Sequence, residues 1–224
     1  AVDTAPPVPS ITLDAAITAD DIINATEAGQ PIPVTGHVGG DAKAGDTVTL
    51  TVNGKPFTGT VAADLTFSIN VPGSDLAADP DRVIDASVTT TDAAGNPASA
   101  TDTEGYSVNL SAPSVLVDIL DPALNVADKV STVTFTFSEA PVGFTAADIT
   151  AVGGTVSGLT ATANPLVYTA TYTANDGFTG TGSVSVTAGS YTNAALNAGT
   201  GHSDNVAVDT APPVPSITLD AAIT

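Results

Sequence analysis

Side chains able to hold a hard cation crowd into a few short stretches of this chain. Thr18-Ala-Asp-Asp-Ile-Ile-Asn-Ala-Thr-Glu27 carries oxygen donors at Asp20, Asp21, Asn24 and Glu27. Asp92 and Asn96 form a second group, and Asn193 and Asn197 hold the matching place later in the chain. Asp118, Asp121, Asn125 and Asp128 form another, while Asp3, Asn109 and Asp209 stand in linker-like sequence. Two carboxylates about 4 Å apart repel by about 1 kcal/mol in water and about 4 kcal/mol at an effective dielectric of about 20. Roughly six to eight oxygens around a divalent ion relieve that repulsion, and calcium is the ion that tolerates irregular geometry. Calcium is therefore the expected ligand. No single stretch has the EF-hand spacing, so the reading rests on the constellation. The competing reading is that these are solvated loop acids capping turns, as Asp and Asn commonly do.

Catalysis is not expected. The two histidines are His37 and His202. His202-Ser203-Asp204 contains the letters of a nucleophilic relay, but successive residues of an extended chain point to opposite faces. The many acids could supply a glycosidase-like pair, yet nothing in the sequence marks a cleft. Carbohydrate platforms want exposed aromatics; Trp is absent and the few Phe and Tyr are needed inside. Threonine rows such as Thr47-Thr49-Thr51 and Thr169-Thr171-Thr173 could suggest an ice-binding face, but outward Thr is ordinary on a half-buried strand.

Charge narrows the partners. Four basic residues (Lys43, Lys55, Arg82, Lys129) stand against 24 acidic ones, a net charge of −20. Such a field repels phosphate backbones and anionic lipid, which argues against nucleic acid and membrane surfaces. No apolar run approaches the roughly 20 residues a bilayer-spanning helix requires. Without Cys, no disulfide staples the fold.

The elements that must position these oxygens read as strands. Asp46–Val52 alternates Val48, Leu50 and Val52 against Thr47, Thr49 and Thr51, and Asn53-Gly54 is a hairpin turn signal. Val8–Leu13, Gln30–Val38, Phe57–Val61, Leu65–Val71, Val83–Thr90 and Ala98–Val108 complete a first set of seven. Pro31 and Pro33 suit a strand start or an edge. A second set is Val115–Leu120, Ser131–Phe137, Asp148–Val152, Val156–Thr162, Leu166–Thr173, Ser183–Ala188 and Asp204–Val208, with Phe135, Phe137, Tyr168 and Tyr172 as core aromatics. Seven short strands per hundred residues predict an antiparallel sandwich of immunoglobulin type. The fold expected is all-β: two tandem Ig-like sandwiches joined end to end, over residues 1–108 and 109–208. In that topology the loop after the first strand lies where the chain leaves, and the last hairpin lies where it enters. The acidic groups then collect at both ends of each unit.

One stretch recurs without change. Residues 1–18 and 207–224 are identical, an offset of 206. The chain reads as one period of a longer tandem array. Residues 209–224, a copy of 3–18, are the beginning of the next repeat, and Val214–Leu219 is expected to be extended, either paired with another copy or held at a junction by Asp209. Two weaker echoes tie the halves together: Val2-Asp3-Thr4-Ala5-Pro6 with Val108-Asn109-Leu110-Ser111-Ala112-Pro113, and Thr91-Asp92-Ala93-Ala94-Gly95-Asn96 with Thr192-Asn193-Ala194-Ala195-Leu196-Asn197.

Taken together, the Val-Asp-Thr-Ala-Pro linkers, the Asp-Asp-Ile-Ile-Asn-Ala-Thr-Glu loop, Gly-Asp-Thr-Val-Thr-Leu-Thr-Val-Asn-Gly, Thr-Asp-Ala-Ala-Gly-Asn and Phe-Thr-Phe-Ser-Glu-Ala-Pro-Val-Gly-Phe-Thr-Ala-Ala-Asp-Ile-Thr resemble bacterial Ig-like repeats. Such repeats fill the extender regions of giant repeats-in-toxin adhesins of Gram-negative bacteria. The resemblance covers essentially the whole chain. It implies a calcium-rigidified stalk, secreted by the type I route and retained at the cell surface, that projects a ligand-binding tip for attachment or biofilm formation. Its partners would be neighbouring repeats of the same chain, with homophilic contact between arrays as the alternative. The resemblance implies Asp20, Asp21, Glu27 and Asp92 as calcium ligands. Asn109 and Asn193 stand where Asp is more usual, which implies looser binding or fewer ions at the central junction.

Overall fold

A computed structural model describes residues 3–217, and its contacts divide into two units, Ala1–Ser111 and Ala112–Thr224. Unit 1 contains β1 (Pro9–Leu13), β2 (Ile22–Ile23), β3 (Pro31–Gly40), β4 (Thr47–Val52), β5 (Lys55–Thr60), β6 (Thr66–Pro72), α1 (Gly73–Ala78), β7 (Val83–Thr91), β8 (Pro97–Gly105) and β9 (Ser107–Val108). Its sheets run β1-β3-β6 and β5-β4-β7-β8, with a short parallel pair β2-β9. Alternation decides which residues meet between them. Val48, Leu50 and Val52 from β4, Phe67, Ile69 and Val71 from β6, and Ile84, Ala86 and Val88 from β7 share one buried core. Asn53 and Gly54 take φ of 51° and 69°, the two positive values that a tight β4–β5 hairpin needs. Pro31 and Pro33 lie where β3 is bonded only to β6, because β1 covers β3 from Gly36 to Gly40. A residue without an N–H is harmless on that open side.

Unit 2 contains β10 (Val115–Ile119), β11 (Ala123–Asn125), β12 (Val130–Phe137), β13 (Ile149–Val152), β14 (Gly154–Ala161), β15 (Val167–Ala174), β16 (Thr179–Val186) and β17 (His202–Asp209). The sheets are β10-β12-β15-β14 and β11-β17-β16-β13, the β11–β17 pairing being parallel. Phe135, Phe137 and Tyr172 are buried as their spacing predicts, and Tyr168 packs half-buried against them. Two further rings join this core from loops. Phe144 and Tyr191 meet the Phe137 ring at centroid distances of 4.9 and 5.0 Å, both edge to face. Such contacts add about 0.5–1.5 kcal/mol each beyond burial.

The edge strands β1 and β10 are met by side chains from the other sheet of their unit. In unit 2, His202 Nδ1 accepts the Val117 N–H at 3.1 Å and Asp204 Oδ2 accepts the Ile119 N–H at 2.8 Å. In unit 1, Asp102 Oδ2 accepts the Leu13 N–H at 2.8 Å. His202 and Asp204 thus share a face two residues apart, while Ser203 lies outside and opposite Ser185. These three side chains fill donors that would otherwise make β1 and β10 adhesive edges. Asp204→Ala is expected to destabilise unit 2 by about 1–2 kcal/mol, since it strands the Ile119 N–H. Asp204→Asn, which keeps an acceptor, should lose less than half of that in a denaturant titration.

Asp118 and Gly73–Ala78 depart from the sequence expectation, and the expected strand after Asp209 is described only in part. Asp118 belongs to β10, opposite Thr134, and is not a loop residue. Of the expected strand Val214–Leu219, residues 214–217 are irregular, with Val214 93% and Ile217 89% exposed, and Leu219 lies outside the described residues. Gly73–Ala78 forms a short helix that strand periodicity does not show.

Candidate functional site

The oxygen-rich groups sit at the two ends of each unit. At the outgoing end of unit 1, the loop after β1 lies against the departing chain: Ser107 N–H donates to the Asp21 carbonyl and Asn109 N–H to the Ile23 carbonyl, both at 3.0 Å. Asp21 has φ of 57°, which short polar side chains tolerate, and its Oδ1 accepts the Ile17 N–H. Asp20 Oδ1 accepts the Ile22 N–H and the Thr18 hydroxyl. Asn24 and Glu27 cap one another: Asn24 Oδ1 accepts the Glu27 N–H at 2.9 Å, and Glu27 Oε2 accepts the Asn24 N–H at 3.1 Å. Asn109 Oδ1 accepts the Ser111 N–H.

At the incoming end of unit 1, Asp92, Asn96 and Asp3 come together. Asp92 Oδ1 accepts the N–H groups of Ala94 and Asn96, and its Oδ2 accepts the Asn96 amide at 2.8 Å. The same Asn96 amide reaches the Asp3 and Ala5 carbonyls at 3.3 and 3.4 Å. The Asn96 side-chain amide, then its backbone N–H, hold the Asp92 carboxyl below the usual carboxylate range. A shallow cleft beside it is lined by Ala5, Pro6, Pro7, Asp41, Lys43 and Thr91.

Unit 2 repeats the plan with different letters. Asn193 Oδ1 accepts the Asn197 N–H at 3.0 Å, in the turn that Asp92 and Asn96 build in unit 1. Asn193 also donates its amide to Glu139 Oε2 at 3.0 Å. Glu139 is a member of this end that spacing alone does not reveal. The Tyr191 hydroxyl donates to the Pro113 and Thr200 carbonyls, which ties this loop to the arriving chain. At the outgoing end, Asn125 pairs with Asp209 across β11 and β17, and Asn125 Oδ1 accepts the Ala127 and Asp128 N–H groups. Asp209 Oδ1 accepts the Thr179 hydroxyl, and Asp121 Oδ2 accepts the Ser131 hydroxyl.

The correspondence of the two incoming turns has a consequence for stability. Gly95 has φ of 91° and its counterpart Leu196 has φ of 62°, with 56% of Leu196 exposed. A leucine held left-handed costs roughly 1–2 kcal/mol, partly offset by the entropy a glycine loses. Leu196→Gly is expected to stabilise unit 2 by about 0.5–1 kcal/mol in chemical denaturation.

Carboxylate and amide oxygens are the donors a hard cation takes. Most of these carboxylates already accept N–H or O–H groups, and among the described residues no three His, Cys, Asp or Glu side chains converge on one point. A single end of a single unit therefore supplies a partial donor set, not a full cage.

Burial, not partner charge, governs the tyrosines first. It raises Tyr106, Tyr172 and Tyr191 above the ordinary phenol, and Tyr106 is raised further by the Asp79 carboxylate that its hydroxyl meets at 3.2 Å. A folded-state value above the unfolded one means full stability below about pH 10 and loss as pH climbs past it. Thermal melts should be flat from pH 8 to about 9.5 and fall above. Tyr106→Phe should flatten the alkaline fall of unit 1 only; melts unchanged up to pH 11 would contradict this.

These sandwiches, each with one short parallel pair (β2-β9 and β11-β17) and with their polar residues at the ends, define an Ig-like domain class. Residues 109–210 match the family model described as bacterial Ig-like domain. A solved structure from a 1.5-MDa bacterial ice-binding adhesin, described for host cell surface retention, is 32% identical over 91% of this chain and 65% of that one, with a TM-score of 0.61. A Ca2+-stabilized adhesin with which an Antarctic bacterium reaches out and binds ice is 29% identical over 92% of this chain and 50% of that one, also at 0.61. A bacterial Ig-like domain from the M. primoryensis ice-binding adhesin is 45% identical, covering 46% of this chain and 97% of that one, with a TM-score of 0.41. No curated sequence matches the chain significantly. Residues 109–210 belong to the bacterial Ig-like domain family, a structural rather than catalytic class, and the chain is homologous to Ig-like domains of a repeats-in-toxin adhesin. It spans less than two thirds of the length of the two adhesin structures matched over most of it. The adhesin homologues are cell-surface proteins, and no described helix is long and apolar enough to cross a membrane.

Proposed function

We propose that this chain is a stretch of extender in a secreted, surface-retained adhesin, in which calcium at the junctions between repeats stiffens a stalk that carries a ligand-binding tip. The observation that supports it is the placement of oxygen donors at both ends of both units, each set incomplete by itself. Asp20, Asp21, Asn24, Glu27 and Asn109 would supply one side of a junction and Asn193, Asn197 and Glu139 the other. Asp121, Asp128 and Asp209 would face the Asp3, Asp92 and Asn96 positions of a following repeat. Asp118, on the outer face of β10, is the weakest member of the proposed set. When bound, the ion would cancel carboxylate repulsion and fix the angle between neighbours. The chain's own residues would hold each loop in shape through the Asn24–Glu27 and Asp92–Asn96 caps. That a structural relative is a Ca2+-stabilized adhesin supports the same reading. Attachment to a surface or biofilm growth is the task such a stalk would serve.

Calorimetric titration of the chain with calcium chloride tests the binding step. Saturable heat at millimolar calcium or below is expected, and its absence at millimolar ion would refute the ion's role.

A further inference from the structure

The stretch Asp-Thr-Ala-Pro-Pro-Val occurs at 3–8 and again, with the same letters, at 209–214. Each copy shows its hydrogen bonds to a different unit. Where the stretch leaves unit 2, Thr210 is the residue held. Its N–H donates to the Phe178 carbonyl at 2.8 Å and its carbonyl accepts the Gly177 N–H at 3.3 Å. Its Oγ1 accepts the Phe178 N–H at 2.9 Å and donates to the Asn175 carbonyl at 2.5 Å, which leaves Thr210 buried. Where the stretch enters unit 1, other groups are held. The Asn96 side-chain amide donates to the Asp3 and Ala5 carbonyls at 3.3 and 3.4 Å. The Val8 N–H donates to Asp41 Oδ2 at 2.7 Å, and the Val8 carbonyl accepts the Asp41 N–H at 3.0 Å. Between them, Pro6 and Pro7 have φ fixed by their rings, and Ala5, ahead of a proline, is pushed toward extended backbone.

The two sets of bonds do not compete. One takes the threonine; the other takes the carbonyls on either side of it and the valine four residues on. We propose that between consecutive repeats one such stretch carries both sets at once. The unit it leaves holds the threonine, and the unit it enters holds the flanking carbonyls through Asn96 and the valine through Asp41. The stretch is then a clip that ties neighbouring repeats through main-chain hydrogen bonds and needs no metal. A proline-rich linker is already a semi-rigid spacer, and these bonds fix the residues whose φ and ψ the prolines leave free. The inference rests on the reading of the chain as one period of a tandem array, and not on the calcium step. It concerns the 209–214 stretch alone, since residues 109–113 have other letters.

The test uses a chain of two periods, residues 1–224 followed directly by 19–224, which contains one complete clip. The sequence has no Cys, so Ser203→Cys in the first period and Thr58→Cys in the second give two unique spin labels on either side of it. Electron–electron double resonance then reads the distribution of distances between them, in excess chelator and in millimolar calcium. A narrow distribution is expected already in chelator. Thr210→Val in the first period and Asn96→Ala in the second each open one side of the clip, and each is expected to widen the distribution at least twofold in chelator while all unfolding transitions remain. A broad parent distribution in chelator that sharpens in calcium overturns the clip and leaves the calcium reading standing. Distributions as narrow as the parent's in both variants, with the transitions intact, also overturn it, because other contacts would then hold the joint. Loss of the second period's unfolding transitions would contradict the tandem reading and the clip with it.

Discussion

Tyr191→Ala is expected to cost unit 2 about 3–5 kcal/mol, the usual range for emptying a buried aromatic site. Tyr191 is 1% exposed, and its ring meets Phe137 at 5.0 Å and Phe144 at 6.1 Å. Removing it also takes the hydroxyl away from the Thr200 and Pro113 carbonyls, of which Pro113 keeps the Thr200 N–H. Gly199 packs so closely on the ring that a Cβ there would fall 2.2 Å from it, so the loop has little room to collapse into the gap. At roughly 4–8 °C per kcal/mol for a domain of this size, the unit 2 transition should fall by roughly 15–30 °C. Tyr191→Phe separates the terms: it keeps the ring, and its loss should be about 1 kcal/mol. Differential scanning calorimetry of the two variants checks both. A fall of under 5 °C for the alanine variant would mean that the aromatic cluster does not anchor this end of the unit.

Calcium is expected to produce the second large effect. A ligand present at about one hundred times its dissociation constant adds about 2.7 kcal/mol to whatever it binds only when folded. One such site would raise the transition of the unit that holds it by roughly 10–20 °C relative to chelator. The variant that isolates the charge is Asp21→Asn. Asparagine tolerates the 57° φ of that position, so the loop should keep its shape while losing a carboxylate. Asp21→Asn is expected to melt like the parent in chelator and to lose most of the increment in calcium. The same increment with Asp21 changed to Asn would remove this carboxylate from the proposed ligands.

Much of the fold is legible because each strand is buried on one face only. Thr47–Val52 and Thr66–Pro72 alternate without a break, and their inward residues are the core. Where burial is not periodic, the letters are silent. Phe144 and Tyr191 reach the unit 2 core from loops, and no spacing marks them. β2 and β11 are two and three residues long, set by parallel pairing with distant chain rather than by their own pattern. Asp102, His202 and Asp204 look like ordinary exposed strand polars, yet each accepts an N–H of a sheet edge.

The candidate site divides the same way. That the loop after the first strand lies at the outgoing end follows from topology, and the Asp21–Ser107 and Ile23–Asn109 hydrogen bonds show it within unit 1. That Asp92-to-Asn96 and Asn193-to-Asn197 are one turn follows from their spacing, and in both the first residue's N–H donates to the last residue's carbonyl at 3.1 Å. Glu139 was hidden because it belongs to a different strand connection, brought to Asn193 only by folding. Asp118 misleads in the opposite sense: it is close in sequence to Asp121 but separated from it by the end of β10.

Small-angle X-ray scattering of the whole chain, in millimolar calcium and then in excess chelator, addresses the stalk most directly. The account predicts a sharply defined maximum dimension in calcium that broadens toward a flexible two-body profile once the ion is stripped, and returns when calcium is restored. Superimposable curves in the two buffers, alongside intact unfolding transitions for both units, would contradict it.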